Sequence, residues 1–220
     1  MDGTLVDSEK VYLSGFKRAF DKFNVVATES ELKVFSGLSG GDELKELDKF
    51  THNRAVTEQV FDHMITYCHQ EFAANRVELK SDAVILLDYC REQGLKIGLA
   101  TSTHEKDARS MLKKLDIIDY FDFFVFGDEV TTPKPDPTIY RMATVRSGFR
   151  RGECLVVEDS LAGVTSATKA RLSVIQICDD IDPVQLADNH VKALKEVMPL
   201  IDKQLPNHLI EHESQEIPNI

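Results

Sequence analysis

The sequence predicts an α/β protein in which a helical segment is joined to a core built on a parallel sheet. Two observations support this prediction. Apolar residues in the first third of the 220-residue chain recur at intervals of three and four, which is the period of an amphipathic helix. Farther along, short runs of β-branched and aromatic residues alternate with helix-like segments, and such runs are typical of strands buried on both faces of a parallel sheet.

The first part of the chain is predicted to be helical throughout. Apolar stripes mark three helices, and Thr28 with Glu31 fits the capping box that begins a fourth. The stripes consist of Leu13, Phe16, Phe20 and Phe23, of Leu44, Leu47 and Phe50, and of Val60, Phe61, Met64, Cys68 and Phe72. Nothing before residue 80 has the pattern of a strand, so the boundary with the sheet region falls near residues 76–80.

Four apolar runs in the second part predict strands, at residues 95–100, 123–126, 154–157 and 173–177. A helix from Ser81 ends at Gly94, the residue type favoured after a helix C-terminus, and another begins after Asp136 with Pro137 in its first turn. Residues 205–220 have few apolar residues and no period, so we expect a flexible tail.

Composition excludes several classes of partner. The formal net charge of -11 disfavours nucleic acid and anionic lipid, and the sequence shows no local basic patch. No run of eighteen apolar residues is present, which argues against a membrane span, and we expect a cytoplasmic monomer or weak dimer. The four cysteines are scattered without zinc spacing and are interpreted as reduced thiols. His69 falls in a polar helical stretch, where a solvated position is the favoured interpretation.

Polar residues follow the predicted strands where ligands bind in parallel α/β sheets, at the carboxyl ends. These residues are Asp2 near the N-terminus, Thr101, Ser102 and Thr103 after the first run, Lys134 after the second, and Glu158 and Asp159 after the third. Carboxylates suit a hard cation, whereas hydroxyl groups and a lysine suit an oxyanion. The set therefore predicts phosphate chemistry.

Four segments then resemble, in order and spacing, the signature motifs of the haloacid dehalogenase superfamily of magnesium-dependent phosphoryl-transfer enzymes. They are MDGTLVDSE at 1–9, GLATST at 98–103, TTPKPDPTIY at 131–140 and LVVEDSLAGV at 155–164. The resemblance implies a Rossmann-like parallel-sheet core over residues 1–9 and 79–204, with an all-α helical cap inserted over residues 10–78.

The resemblance also implies a role for each matching residue. Asp2 would be the general acid and base, Thr101 with Ser102 would hold the phosphoryl group, and Lys134 would neutralise its developing charge. Glu158 and Asp159 would ligate or position Mg²⁺, with the backbone carbonyl of Asp2 completing the metal site. The implied reaction is Mg²⁺-dependent hydrolysis of a small phosphorylated metabolite.

One position departs from the family pattern. The nucleophilic aspartate should stand two residues before Asp2, after an apolar strand, and Met1 occupies the position between them. A sheet without that central strand would leave backbone groups unpaired, at about 1 to 3 kcal/mol each. We therefore expect the reading frame to extend upstream of Met1, and an in-frame stop codon immediately before Met1 would contradict this. The rival interpretation is a degenerate chain without turnover.

Several alternatives remain open. β-Phosphoglucomutase-like phosphotransferases usually carry a histidine where Tyr12 stands and an arginine where the cap loop has Gly40, the position we expect to contact substrate. A phosphonoacetaldehyde-type hydrolase would need a Schiff-base lysine, for which Lys10, Lys17 and Lys33 are candidates by composition. The third alternative is an inactive module that binds a phosphorylated ligand.

Overall fold

A computed structural model describes residues 1–35, 41–74, 76–178 and 183–204. The predicted substrate contact at Gly40 and the predicted tail at 205–220 lie outside these residues. The described chain contains nine α-helices and five short strands, and the predicted α/β class is confirmed.

The first part of the chain is helical, as predicted. Its helices are α1 (Glu9–Phe23), α2 (Glu29–Leu32), α3 (Gly41–Thr51) and α4 (Arg54–Ala73). The predicted stripe on α1 is the buried face, where the Phe16 ring stacks on Phe35 with centroids 4.2 Å apart. The predicted capping box also forms, because the Thr28 N–H donates to Glu31 at 2.7 Å and the Glu31 N–H donates back to the Thr28 hydroxyl at 3.2 Å. Both α1 and α3 pack on α4.

Five parallel strands and five further helices form the second part. They are α5 (Ala83–Glu92), β1 (Gly98–Ala100), α6 (Glu105–Lys114), β2 (Phe123–Val125), α7 (Thr138–Ser147), β3 (Leu155–Glu158), α8 (Leu161–Lys169), β4 (Ser173–Ile177), β5 (Asn189–Val191) and α9 (Met198–Gln204). Four of the strands fall on the four predicted runs, whereas β5 was not predicted. Helices α6 and α8 provide the crossovers that parallel neighbours require.

The strands form two sheets, β1–β2 and β3–β4–β5, and within the described residues β1 does not pair with β3. The N-terminal residues connect the carboxyl ends of both sheets. The Thr103 hydroxyl, after β1, donates to Asp2 at 2.9 Å, and the Thr4 hydroxyl donates to Asp159, after β3, at 2.6 Å. The ends of the two sheets are thereby held at one place.

The segment that leads into α1 and the segment that follows α4 lie next to each other and are joined by backbone hydrogen bonds. The Asp7 N–H donates to the Glu78 carbonyl at 2.9 Å, and the Lys80 N–H donates to the Leu5 carbonyl at 2.8 Å. Helices α1 to α4 therefore lie between two adjacent points of the core, and the cap over residues 10–78 stays a prediction. None of the helices in the described ranges combines the length and apolar character needed to cross a bilayer.

Candidate active site

A cavity of about 450 Å³ lies between the carboxyl ends of the strands and the first helices. Six of the seven predicted site residues line it, namely Asp2, Thr101, Ser102, Lys134, Glu158 and Asp159. The seventh, Gly40, is outside the described residues. Residues separated by more than 150 positions thus meet in one cavity, at the carboxyl ends of the strands, as predicted from the sequence.

Thr101 is held rigidly at the end of β1. Its side chain is buried, its N–H donates to the Val125 carbonyl at 3.0 Å, and its hydroxyl oxygen accepts from the Thr103 N–H at 3.1 Å. The neighbouring loop packs tightly against this turn, because a Cβ added at Gly127 would lie 2.0 Å from the Ser102 carbonyl oxygen. A hydroxyl fixed in this way is preorganised to bind a phosphoryl oxygen.

Asp2 presents an unsatisfied oxygen. Its Oδ2 accepts from Thr103, but its Oδ1 is buried and has no hydrogen-bond partner in the described part of the chain. A buried carboxylate oxygen without a partner calls for a proton, a cation or a ligand donor. Gly3 allows the close approach of the next motif, because it has a φ of +68° and a Cβ there would lie 2.1 Å from Asp159 Oδ2.

Lys134, Glu158 and Tyr140 form a buried cluster. The Lys134 ammonium donates to Glu158 Oε1 at 2.5 Å and to the Ala100 carbonyl at 3.3 Å, and the Tyr140 hydroxyl also donates to Glu158 Oε1 at 2.5 Å. Burial alone would raise the pKa of Glu158, but the charge and hydrogen bond of Lys134 hold it below its usual range. Glu158 is therefore ionised, and it fixes the position of the lysine.

Asp159 lies beside this cluster in a different electrostatic environment. Its side chain accepts the 2.6 Å hydrogen bond from Thr4, and its carbonyl accepts from the Gln176 amide at 3.1 Å. Burial and the negative charge of Glu158 raise the pKa of Asp159 above its usual range. A carboxylate with a raised pKa is stabilised by an added positive charge.

The predicted magnesium site can be tested against these carboxylates. Nowhere in the described ranges do three His, Cys, Asp or Glu side chains converge as a ready set of metal ligands. Mg²⁺, however, is commonly held by one or two carboxylates together with waters and substrate phosphate. The Asp159 carboxylate fits this need together with the backbone carbonyl of Asp2, whereas the ion pair with Lys134 occupies Glu158. The magnesium site stays a prediction, with Asp2 and Asp159 as its ligands.

The sequence did not predict the helical side of the cavity. That side includes Ser8, Glu9, Tyr12, Glu43, Ile65 and His69, and the lining also includes His104 and Asp107. Ser8 and Glu9 line the cavity at the start of α1, and His69 lines it while remaining exposed, in agreement with its interpretation as a solvated residue. The available signal was the helical period, because Ile65 and His69 are four residues apart on one face of α4.

The structure gives no support to a Schiff-base lysine. Lys10 and Lys17 are exposed and paired with Asp7 and Glu29, and neither lines the cavity. The side chain of Lys33 is outside the described residues.

Comparison with known proteins identifies the family. Residues 1–177 match the profile described as haloacid dehalogenase-like hydrolase. The chain belongs to this family. The predicted family membership and the predicted assignment as a hydrolase are both confirmed.

Individual relatives agree with this assignment. The phosphorylated carbohydrates phosphatase of Thermotoga maritima is 29% identical over 175 residues, which cover 80% of this chain and 81% of that protein. A haloacid dehalogenase hydrolase of family IA, variant 3, from Entamoeba histolytica superposes with a TM-score of 0.76 at 18% identity, covering 96% of this chain and 97% of the other. The β-phosphoglucomutase of Clostridium difficile gives 0.71 at 17% identity, covering 96% of each chain. At these identities the two structures show the fold alone.

Proposed function

We propose that this enzyme is a Mg²⁺-dependent phosphatase that hydrolyses a small phosphate monoester of a carbohydrate or similar polyol. The observation that carries the proposal is the convergence of the Thr101 hydroxyl, the Lys134 ammonium and the unsatisfied Asp2 oxygen in one cavity. A bound phosphoryl group needs a hydroxyl donor, a cation and a proton source, and these three groups supply them.

Each group has a definite task in this proposal. Asp2 Oδ1 carries the proton to the leaving oxygen, while the hydrogen bond from Thr103 to Oδ2 fixes the carboxyl orientation. Thr101 and Ser102 bind the phosphoryl oxygens, and Lys134 opposes the negative charge that grows on them. Mg²⁺ held by the Asp159 carboxylate and the backbone carbonyl of Asp2 would supply further charge neutralisation, which leaves Asp2 Oδ1 free for the proton. The attacking carboxylate implied by the family resemblance has no counterpart in the numbered chain, so roles are assigned only to the residues present.

The cavity lining supports a polyol substrate. Glu43, His69, His104 and Asp107 also line the cavity and offer acceptors and donors to sugar hydroxyls. The described lining carries six carboxylates, whereas Lys134 is its only Lys or Arg side chain. A second phosphate or carboxylate on the substrate would enter a lining that carries more acidic than basic side chains. We therefore propose that the leaving group is uncharged or cationic, which agrees with the carbohydrate specificity named for the Thermotoga maritima relative.

The same lining favours hydrolysis over mutase chemistry. Burial and the charge of Asp2 raise the pKa of Tyr12, so this phenol stays neutral where the mutases usually carry histidine. A mutase also needs a bisphosphate intermediate in its cavity, and the excess of carboxylates opposes that intermediate.

Product analysis tests the proposal. Protein expressed from the full reading frame, with any codons upstream of Met1, is incubated with Mg²⁺ and with p-nitrophenyl phosphate, sugar phosphates and nucleotides. Release of inorganic phosphate that is lost on Asp2→Ala supports the phosphatase. Interconversion of sugar phosphates without phosphate release would show a mutase, and phosphate binding without either reaction would show a non-catalytic binding module.

A further inference from the structure

A second groove lies on another surface of the protein. It has a volume of about 500 Å³ and shares no lining residue with the active-site cavity. The groove forms where the C-terminal half of α7 and the following turn meet the end of α8 at Ala170. Its lining consists of Arg141, Thr144, Val145, Gly148, Phe149, Arg150, Arg151 and Ala170.

Three guanidinium groups border this groove without carboxylate partners. Of the seven arginines outside the groove, Arg54, Arg76, Arg109 and Arg146 each lie within 3.3 Å of a carboxylate oxygen, and Arg18 and Arg91 lie over tyrosine rings. In the part of the chain that the structure describes, Arg141, Arg150 and Arg151 have no such ion pair, and no carboxylate lines the groove.

The nearest acidic neighbours are already engaged. Arg141 lowers the pKa of Asp136 through its charge, but less than the hydrogen bonds from Thr138 that occupy that carboxylate. Glu153, in the turn after the groove, accepts a hydrogen bond from the Arg150 backbone N–H at 2.7 Å. Like charges gathered at one groove repel one another, and an anion bound between them relieves that repulsion.

The groove also has an apolar wall. Val145 and Phe149 are 81% and 50% exposed, and both line it beside the arginines. Positions 141, 144, 145 and 148 recur at helical spacing, so one face of α7 presents charge and apolar surface together. Arginine binds phosphate through paired N–H groups, and an exposed aromatic ring is a platform for a planar base.

We propose that this arginine groove binds a nucleotide, with its phosphates on Arg141, Arg150 and Arg151 and its base against Phe149. The volume lies within the range of small-molecule sites, which favours a small ligand over a macromolecular one. The sequence alone showed no basic patch because Arg141 and the Arg150–Arg151 pair are nine residues apart and meet only through the turn after α7.

Calorimetric titration with ADP tests this site. The titration uses the Asp2→Asn protein in EDTA, so that hydrolysis and metal binding at the active-site cavity do not contribute. We expect saturable binding that weakens by about tenfold or more in an Arg141→Gln/Arg150→Gln double variant. Arg171→Gln is the matched control, because Arg171 is exposed beside Ala170 but does not line the groove. This control should leave the affinity within about twofold of the parent.

Two further ligands identify the chemistry that is recognised. Pyrophosphate and adenosine should each bind at least about tenfold more weakly than ADP, because each lacks one half of the contacts. Affinity for pyrophosphate equal to that for ADP would overturn the nucleotide assignment. ADP binding that is absent, or unchanged in the double variant with an unchanged melting temperature, would overturn the site. Neither result depends on phosphatase activity, so this proposal and the proposed function can fail separately.

Discussion

The buried hydrogen bond between Tyr140 and Glu158 provides a quantitative test of how the site is held. Tyr140→Phe removes the hydroxyl that donates to Glu158 Oε1 at 2.5 Å and keeps the packed ring. Glu158 would retain Lys134 and the weaker contacts from the Asp159 N–H and the Ser160 hydroxyl at 3.2 and 3.3 Å. A hydrogen bond to a buried charged group contributes about 1.5 to 3 kcal/mol. We therefore expect the free energy of unfolding to fall by about 2 kcal/mol.

Chemical and thermal denaturation followed by circular dichroism measure this loss. For a chain of this size, about 2 kcal/mol corresponds to a melting temperature lower by roughly 4 to 8 °C. Tyr120→Phe is the matched control, since it removes a hydroxyl that donates to Asp88 at 2.6 Å on the exposed surface. Water replaces that exposed hydrogen bond, so no measurable change is expected. Equal losses in the two variants, or no loss in Tyr140→Phe, would refute the assignment of Glu158 as a buried, fixed carboxylate.

Three further predictions follow from the same contacts. Gly163→Ala should reduce phosphatase kcat by at least about tenfold, because the added Cβ would lie 2.0 Å from Glu158 Oε2. Gly152→Ala is the control and should leave kcat unchanged, because a Cβ there would meet no atom within 4 Å. Glu129→Gln should lower stability at pH 7, because hydrogen bonds from Arg146 hold the pKa of Glu129 below its usual range. That stabilisation is present above the unfolded pKa and is lost as pH falls through the folded pKa, so the melting temperatures of the two proteins should converge once the pH is below the folded pKa, on the acid side of the ordinary glutamate value. Finally, kcat/KM for a sugar bisphosphate should be at least about tenfold lower than for the matching monophosphate, and equal values would contradict the role of the acidic lining.

Much of the fold could be predicted from the order of apolar and polar residues, because the apolar runs in the sequence are the segments that are buried in the structure. The run at 173–177 became β4 without change, whereas the run at 95–100 was shortened to Gly98–Ala100. The shortening occurs where the Asp122 carboxylate accepts from the Ile97 N–H at 2.7 Å in place of a strand partner. Strand β5 was not predicted because two of its three residues, Asn189 and His190, are polar. Its extended conformation depends on pairing with β4, which is remote in the sequence pattern.

The site was predictable on the sheet side only. Residues such as Thr101 and Asp159 follow strands directly, so chain order alone places them at one edge. Tyr12, Glu43 and His69 instead come from three different helices, and their convergence depends on how those helices pack. No local pattern records that packing.

The most direct test of the central claim is phosphate release from a sugar monophosphate by protein from the full reading frame, with and without Mg²⁺, in wild type and Asp2→Asn. The account predicts release that requires Mg²⁺ and falls by about 100-fold or more in Asp2→Asn, as loss of a general acid implies. Equal rates in wild type and Asp2→Asn, or full activity in EDTA, would contradict it.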